Sequence, residues 1–279
     1  MRDVISGSFA APRWTFWWPD RIRVVNWNID RGIQLEKIIA FLEAQRADIL
    51  VLQEADLYAR RTGFRNIAEE IAKRLRMNYA FGYEFEELAQ GRPGAPAYHG
   101  QTTLSSWPLG NSRVLRFRQQ SNFWKPKWFL PRTEPFQPRR GGRIALITEV
   151  EVSGRRLMIY NLHLESRADD RLRMMQLSET VEDAKKYLDR DPVVVAGDLN
   201  ADLSRSYSSA AVLERLGFHS AIALPGAYTT PARGIFRHQR TIDWVYLAGP
   251  VQSLASGVCK DVDASDHYPI WFELKLAAV

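Results

Sequence analysis

The chain has 279 residues, 46% hydrophobic and 25% charged, a balance that excludes a disordered protein and leaves room for a large core. Its single cysteine, Cys259, excludes an internal disulfide framework and a zinc-thiolate cluster and suits a reducing compartment. The net charge of +6 is local, because between Arg116 and Arg143 eight cations oppose only Glu134, so that this segment alone carries +7.

Residues 1–20 read as an N-terminal arm, and residues 21–279 as a single domain with no linker to divide it. Pro12, Arg13 and Pro19 interrupt any leader-like apolar run, and nothing later approaches the about 18 consecutive apolar residues of a membrane span. A cytoplasmic, monomeric protein is the expectation. The aromatic cluster Trp14, Phe16, Trp17 and Trp18 reads as an extra edge strand or a packed arm, with an interfacial anchor as the competing reading.

In chain order, "RIRVVNWNID" reads as a strand. "IQLEKIIAFLEAQR" follows as an amphipathic helix, with Leu35, Ile38, Ile39 and Leu42 on one face. "DILVLQEAD" is a short buried strand, and "RNIAEEIAKRLR" a second helix carrying Ile67, Ile71 and Leu75. Residues 84–100 look like a loop punctuated by Gly and Pro, and "TTLSSWPLG" like a strand closing in a turn. "RIALITEVEV" and "RRLMIYNLHL", joined by Ser153 and Gly154, form the clearest hairpin. A helix over 168–190, the strand "VVVAGD", a helix near 206–216 and strands near 242–247, 251–259 and 269–276 complete the chain. Hairpins mixed with runs too apolar for a solvent-facing sheet predict an α/β fold of two packed sheets covered by helices. A doubly wound parallel sheet is the alternative, and the hairpin at 153–154 counts against it.

Unusual polar residues fall where these strands end. The first strand ends in Asn28 and Asp30, which share a face because strand side chains alternate. The second ends in Glu54, a hairpin strand in His163, and the "VVVAGD" strand in Asp198 with Asn200 just beyond; later elements carry Asp243, Asp266 and His267. Each has a structural reading: Asp30 can cap the next helix, Asp198 can hold a turn, and a lone His163 can be a satisfied core histidine. Together they are the residue types that Mg²⁺ chemistry and phosphate recognition require, at the strand ends where sheet proteins place ligands.

The motifs "NWNID", "LQEAD", "NLHLES", "GDLNAD", "RTIDWVYL" and "SDHYPI", in this order, resemble the endonuclease/exonuclease/phosphatase superfamily across residues 22–276. The resemblance implies a four-layer αββα sandwich of two mixed β-sheets and Mg²⁺-dependent hydrolysis of a phosphate ester, with Mn²⁺ as a substitute metal. On that carry-over Glu54, with Asp30 and Asp266, holds the metal, and Asp198 activates the attacking water. Asn200 and His267 contact the phosphate, Asp243 fixes the His267 tautomer, Asn28 completes the phosphate or metal shell, and His163 joins the catalytic set. The presence of His163 argues against the abasic-site branch. "NWNID" and "NLHLESR", with Arg171 and Gln176, resemble the tyrosyl-DNA phosphodiesterase 2-like branch, which has Gly where this chain has Arg31.

The basic segment "NFWKPKWFLPRTEPFQPRR" interleaves aromatic rings and cations, a mixture suited to a nucleic-acid backbone with exposed bases. Trp124, Trp128, Arg139 and Arg140 are its expected substrate-binding residues. Its bland reading is a surface loop with solvated charges. A nuclease or DNA-end phosphodiesterase is the leading expectation. An enzyme acting on an anionic lipid or a soluble phosphate ester is the alternative, and a degenerate nucleic-acid-binding module the non-enzymatic one. Asp202 reads as the cap of the helix after it.

Overall fold

The structure, a computed structural model, describes residues 3–11, 19–133, 136–167, 169–203, 207–222, 227–232 and 238–277, the side chains of 207–210 excepted. The aromatic cluster at residues 14–18 lies outside them. In chain order the elements are β1 (Val4–Gly7), β2 (Ile22–Arg31), α1 (Leu35–Gln45), β3 (Ile49–Leu57), α2 (Ile67–Leu75), β4 (Asn78–Arg92), β5 (Ala95–Ser105), β6 (Leu109–Arg116) and β7 (Arg139–Gly141). They continue as β8 (Ile144–Val152), β9 (Arg155–His163), α3 (Asp170–Ala184), β10 (Val193–Asp198), α4 (Tyr207–Glu214), β11 (His219–Ser220), β12 (Asp243–Ala248), β13 (Val251–Val258) and β14 (Ile270–Leu276).

Two mixed sheets form. The first runs β1-β4-β5-β3-β2-β14-β13 with β7 added to β4; the second runs β11-β12-β10-β9-β8-β6. Strand alternation sorts the side chains into layers. Ile22, Val24, Val51, Ile159, Val194, Val245 and Phe272 meet between the sheets. On the outer face of the first sheet Val25, Trp27, Leu50 and Leu52 pack against Ile38, Leu42, Ile67 and Ile71 of α1 and α2. On the outer face of the second, Met158, Tyr160, Val193 and Val195 pack against Leu177 and Val181 of α3 and Leu213 of α4. This is the expected αββα sandwich. No helix among the described residues is long and apolar enough to cross a membrane.

Two expectations change. Residues 84–100 are not a loop but most of a long β4–β5 hairpin, with Gly91, Pro93, Gly94 and Pro96 gathered near its tip. Its acids look like surface residues in sequence, yet Glu84 and Glu87 are buried, because Arg143 and Arg139 from beyond residue 138 neutralise them. The helix expected over 168–190 ends at Ala184. The chain then turns, with Arg190 and Asp191 N–H groups bonding back to Tyr187.

The inward faces of the central strands share one gradient. Apolar residues fill the closed end, and then comes a layer of amides: Gln53 Nε2 donates to Asn26 Oδ1 at 3.0 Å and to Asn161 Oδ1 at 2.8 Å. Asn161 Nδ2 donates to the carbonyls of Leu52 and Thr102, both at 3.0 Å. One step further along the strands stand Asn28, His163 and Asp198. β2 runs parallel to β3 and β10 parallel to β9, so the polar ends of each pair coincide. Gln53→Leu would keep the volume but strip the Asn26 and Asn161 side-chain oxygens and the Val51 carbonyl of their donor. It is expected to cost about 1–3 kcal/mol, seen as a lower urea midpoint at unchanged m-value; a midpoint equal to that of the parent would show that this amide does not join the sheets.

Candidate active site

Backbone irregularities aim the polar side chains. The β2–β3 register shifts between Asn28 and Arg31, and the β3–β5 register between Leu52 and Ala55. Within or beside these bulges Asp30, Arg31 and Glu54 take φ of 41°, 66° and 56°, and Asn200 just past β10 takes 49°. Such left-handed geometry costs a non-glycine residue about 1–2 kcal/mol, and it is found where a side chain must be redirected. Gly197 has φ +149°, and a Cβ there would lie 1.9 Å from the Leu162 carbonyl oxygen. Only glycine lets β10 lie so close to β9, which sets Asp198 level with His163.

The first sector is built on Asp198. Its Oδ1 accepts the Asn200 backbone N–H at 2.9 Å, and its Oδ2 accepts from Asn28 Nδ2 at 3.2 Å. Both oxygens are thereby oriented. His267 Nε2 faces Oδ2 from 3.7 Å and His163 Nε2 from 3.6 Å, too far for direct hydrogen bonds. His267 Nδ1 contacts Asp243 Oδ2 at 2.8 Å. The segment that carries it is anchored by Trp27 Nε1, which donates to the His267 carbonyl, and by Ser265 Oγ, which donates to the Asn28 carbonyl. Burial opposes charge on His267, but Asp243 and Asp198 outweigh it and push the imidazolium up to about 10.

The second sector centres on Glu54. Its Oε1 lies 3.8 Å from His163 Nε2, and its Oε2 lies 4.0 Å from His99 Nε2 and 3.8 Å from Arg31. Arg31 also binds Asp30, so the two carboxylates share one guanidinium. Burial works to raise the Glu54 carboxyl, but His99, His163, Arg31 and Arg139 outweigh it and hold it well below the usual carboxylate range. Asp30 is shifted the other way, by burial and by the nearby charges of Asp266 and Glu54, against the pull of Arg31. Among the described residues three sets bring acid and imidazole ligand atoms within 4.8 Å of one another: Glu54 with His99 and His163, Asp56 with Glu87 and His99, and Asp198 with Asp243 and His267.

The structure thus brings together Asn28, Glu54, His163, Asp198, Asp243 and His267, with Asp30 and Asp266 near enough to feel one another's charge. Asn200 is adjacent, one amide hydrogen of Nδ2 spent on the Leu164 carbonyl at 3.1 Å. His99 and Glu84 escape the sequence reading because they fall on strands that resemble a loop; Asp56 closes the motif "LQEAD", but its partners His99 and Arg61 are set only by the fold. The expected loop contacts divide. Trp124 is 6% exposed, packed on Phe85, and donates from Nε1 to Glu165 at 2.8 Å, which removes it from any stacking role. Arg139 is also mostly buried, paired with Glu87 at 2.9 Å, and Arg140 is exposed but bound to Glu86. Trp128 is 96% exposed. The positive segment is thereby largely neutralised by acids elsewhere, while Lys125, Lys127 and Arg132 are exposed and have no ion-pair partner among the described residues. The cap expected at Asp202 falls on the approach to α4, of which residues 204–206 lie outside the described ones.

The profile of the Endonuclease/Exonuclease/phosphatase family matches residues 9–267. Solved structures similar to the chain include an endonuclease/exonuclease/phosphatase from Beutenbergia cavernae DSM 12333, at 20% identity and a TM-score of 0.67, covering 93% of this chain and 72% of that one. A family protein from Bacteroides vulgatus has 16% identity and a TM-score of 0.67, covering 92% and 99%. D. rerio TDP2 complexed with single strand DNA product has 18% identity and a TM-score of 0.64, covering 92% and 100%. At such identities the likeness is one of fold. No curated protein matches the chain.

The His267 shift carries a sign. Its folded-state pKa is raised, so the imidazolium stabilises the fold fully below about 6.5, the unfolded value, and that contribution is lost as pH climbs toward about 10. In chelator-treated protein the difference in urea stability between the parent and His267→Gln should shrink across this window. A difference that stays constant from about pH 6 to about pH 10 would show that His267 is not held charged.

Proposed function

The chain belongs to the endonuclease/exonuclease/phosphatase family, and on that footing we propose that it hydrolyses phosphate esters with a divalent metal ion, Mg²⁺ or Mn²⁺, acting on nucleic-acid strands or strand ends. The observation that carries this reading is the pairing of a charged His267 with an oriented Asp198 carboxylate across a 3.7 Å gap. One group can meet negative charge while the other accepts a proton.

Asp30, Glu54 and Asp266 would hold the metal, since carboxylate oxygens are the hard donors that Mg²⁺ takes. When bound, the ion supplies positive charge against phosphoryl oxygens. Asp198 Oδ2 takes the proton of a water whose oxygen bonds phosphorus. The bond from phosphorus to the ester oxygen breaks with its electron pair on that oxygen, which then takes a proton from solvent. His267 donates from Nε2 to a phosphoryl oxygen as charge grows there, and Asp243 keeps it protonated and oriented. His163 presents Nε2 to the same gap, and the second amide hydrogen of Asn200 is placed for another phosphate oxygen. Asn28 acts on Asp198 rather than on phosphate, by holding its Oδ2.

For the substrate, the exposed rings of Trp128, Phe129 and Phe136 beside Lys125, Lys127 and Arg132 support a single strand, bases stacked and phosphates paired. The D. rerio TDP2 solved with single strand DNA product shares the fold.

Purified protein with Mg²⁺ should cleave single-stranded or plasmid DNA, or 5′-phosphotyrosyl oligonucleotides, in preference to sphingomyelin or inositol phosphates. Asp198→Asn and His267→Ala should each lower kcat by about 10²-fold or more in a folded protein. Activity confined to lipid overturns the substrate, and full activity in either variant removes that residue from the mechanism. Lys125→Ala with Lys127→Ala should flatten the salt dependence of single-strand binding by about 0.7 in log–log slope for each phosphate no longer neutralised; an unchanged slope means these charges are merely solvated.

A further inference from the structure

The Glu54 sector contains more than a hard-cation site needs. His99 is fully buried, and its Nε2, which points at Glu54 Oε2, has no hydrogen-bond partner among the described residues. A buried imidazole nitrogen without a partner forfeits the solvation it had in water. His163, buried beside it, presents Nε2 to Glu54 Oε1. At 3.8 and 4.0 Å neither nitrogen is hydrogen-bonded to Glu54, yet one atom from each of the three residues lies within 4.8 Å of the others.

The other nitrogen of each ring faces a carboxylate. His99 Nδ1 sits 3.2 Å from Asp56 Oδ1, and Asp56 is gripped by Arg61 through two contacts of 2.7 Å. His163 Nδ1 faces Glu84 Oε2 from 3.5 Å without a hydrogen bond, and the other oxygen of Glu84 is held by Arg143 at 2.6 Å. Asp56 therefore favours the His99 tautomer with the hydrogen on Nδ1 and a lone pair on Nε2, and Glu84 faces the same nitrogen of His163. Two imidazoles backed by outer carboxylates, with their Nε2 atoms facing a third carboxylate, resemble the arrangement by which proteins hold transition metals. The neighbouring set of Asp56, Glu87 and His99 calls for no cation of its own, because Arg61 already binds both acids.

We propose that Glu54, His99 and His163 form a binding site for a divalent transition ion of the kind that imidazole favours, Zn²⁺ or Co²⁺, distinct in ligand chemistry from the oxygen-only Mg²⁺ set. Imidazole nitrogens select such ions, whereas Mg²⁺ takes oxygen. Two histidines and one glutamate leave a fourth position open, as in catalytic rather than structural zinc sites. The inference rests on the preceding reading of the cleft only through the shared Glu54.

The full chain, stripped with chelator, is titrated with Zn²⁺ by calorimetry in excess Mg²⁺, and separately with Co²⁺ by visible absorption. One Zn²⁺ per chain is expected to bind despite Mg²⁺, and Co²⁺ to give the intense bands of a low-coordinate site with nitrogen ligands. His99→Gln and His163→Gln should each weaken Zn²⁺ at least about 100-fold, and Asp56→Asn about 10- to 100-fold by loosening the His99 tautomer. Zn²⁺ affinity unchanged in His99→Gln, or a folded parent whose Co²⁺ spectrum is that of the hydrated ion, overturns the proposal; the second result needs no variant to fold. Zn²⁺ binding without phosphoesterase activity leaves this inference standing and sinks the preceding one. Mg²⁺-supported hydrolysis without a Zn²⁺ site does the reverse.

Discussion

The cleft depends on a buried seam of amides. Gln53 on one sheet spans to Asn161 on the other and to Asn26 beside it, while Asn161 returns two hydrogen bonds to the backbone of the first sheet. An apolar interface alone would fix the spacing of two sheets but allow one to slide on the other, since hydrophobic contact has no direction. Amides impose direction, because a hydrogen bond holds only while its donor and acceptor stay aligned. They lie one strand step behind Asn28, His163 and Asp198, so the seam fixes one wall of the cleft against the other. The contacts made across it, such as Asn28 to Asp198 at 3.2 Å, require that alignment.

Strain is concentrated just beyond the seam. Asp30, Arg31, Glu54 and Asn200 all adopt left-handed backbone next to a bulge or a strand end, and Gly197 allows a backbone approach that a Cβ would block. A regular strand would point Glu54 by simple alternation, outward from the face that carries Gln53. The bulge reverses this and sets consecutive side chains, Gln53 and Glu54, to work on the same cleft. The conformational cost is met by the surrounding core, where Trp27, Leu52 and Ala55 on the outer face are fully buried.

Much of this is legible in the sequence for one physical reason. The central strands keep their apolar residues at one end and their acids, amides and imidazoles at the other, so the polar strand ends mark the cleft in the sequence itself. The β4–β5 hairpin is not legible, because Glu84 and Glu87 look solvent-facing until Arg139 and Arg143, more than fifty residues away, are seen to neutralise them. The same pairing misleads in the opposite direction for the basic segment. Its arginines look free in sequence, yet Arg139 and Arg143 are buried in ion pairs, and Trp124 lies inward on Phe85. Long-range charge pairing has no local periodicity, and His99, which belongs to that hairpin, is hidden with it.

The three imidazoles of the cleft are set differently by carboxylates of the same kind. His267 has Asp243 on Nδ1 and Asp198 facing Nε2, so both nitrogens see negative charge and the ring is held as a cation. His99 and His163 have their Nδ1 partners, Asp56 and Glu84, tied to arginines that cancel part of the negative charge those carboxylates would lend. The arginines that hold the buried acids of the hairpin, Arg61 and Arg143, therefore also fix the carboxylates that face His99 and His163.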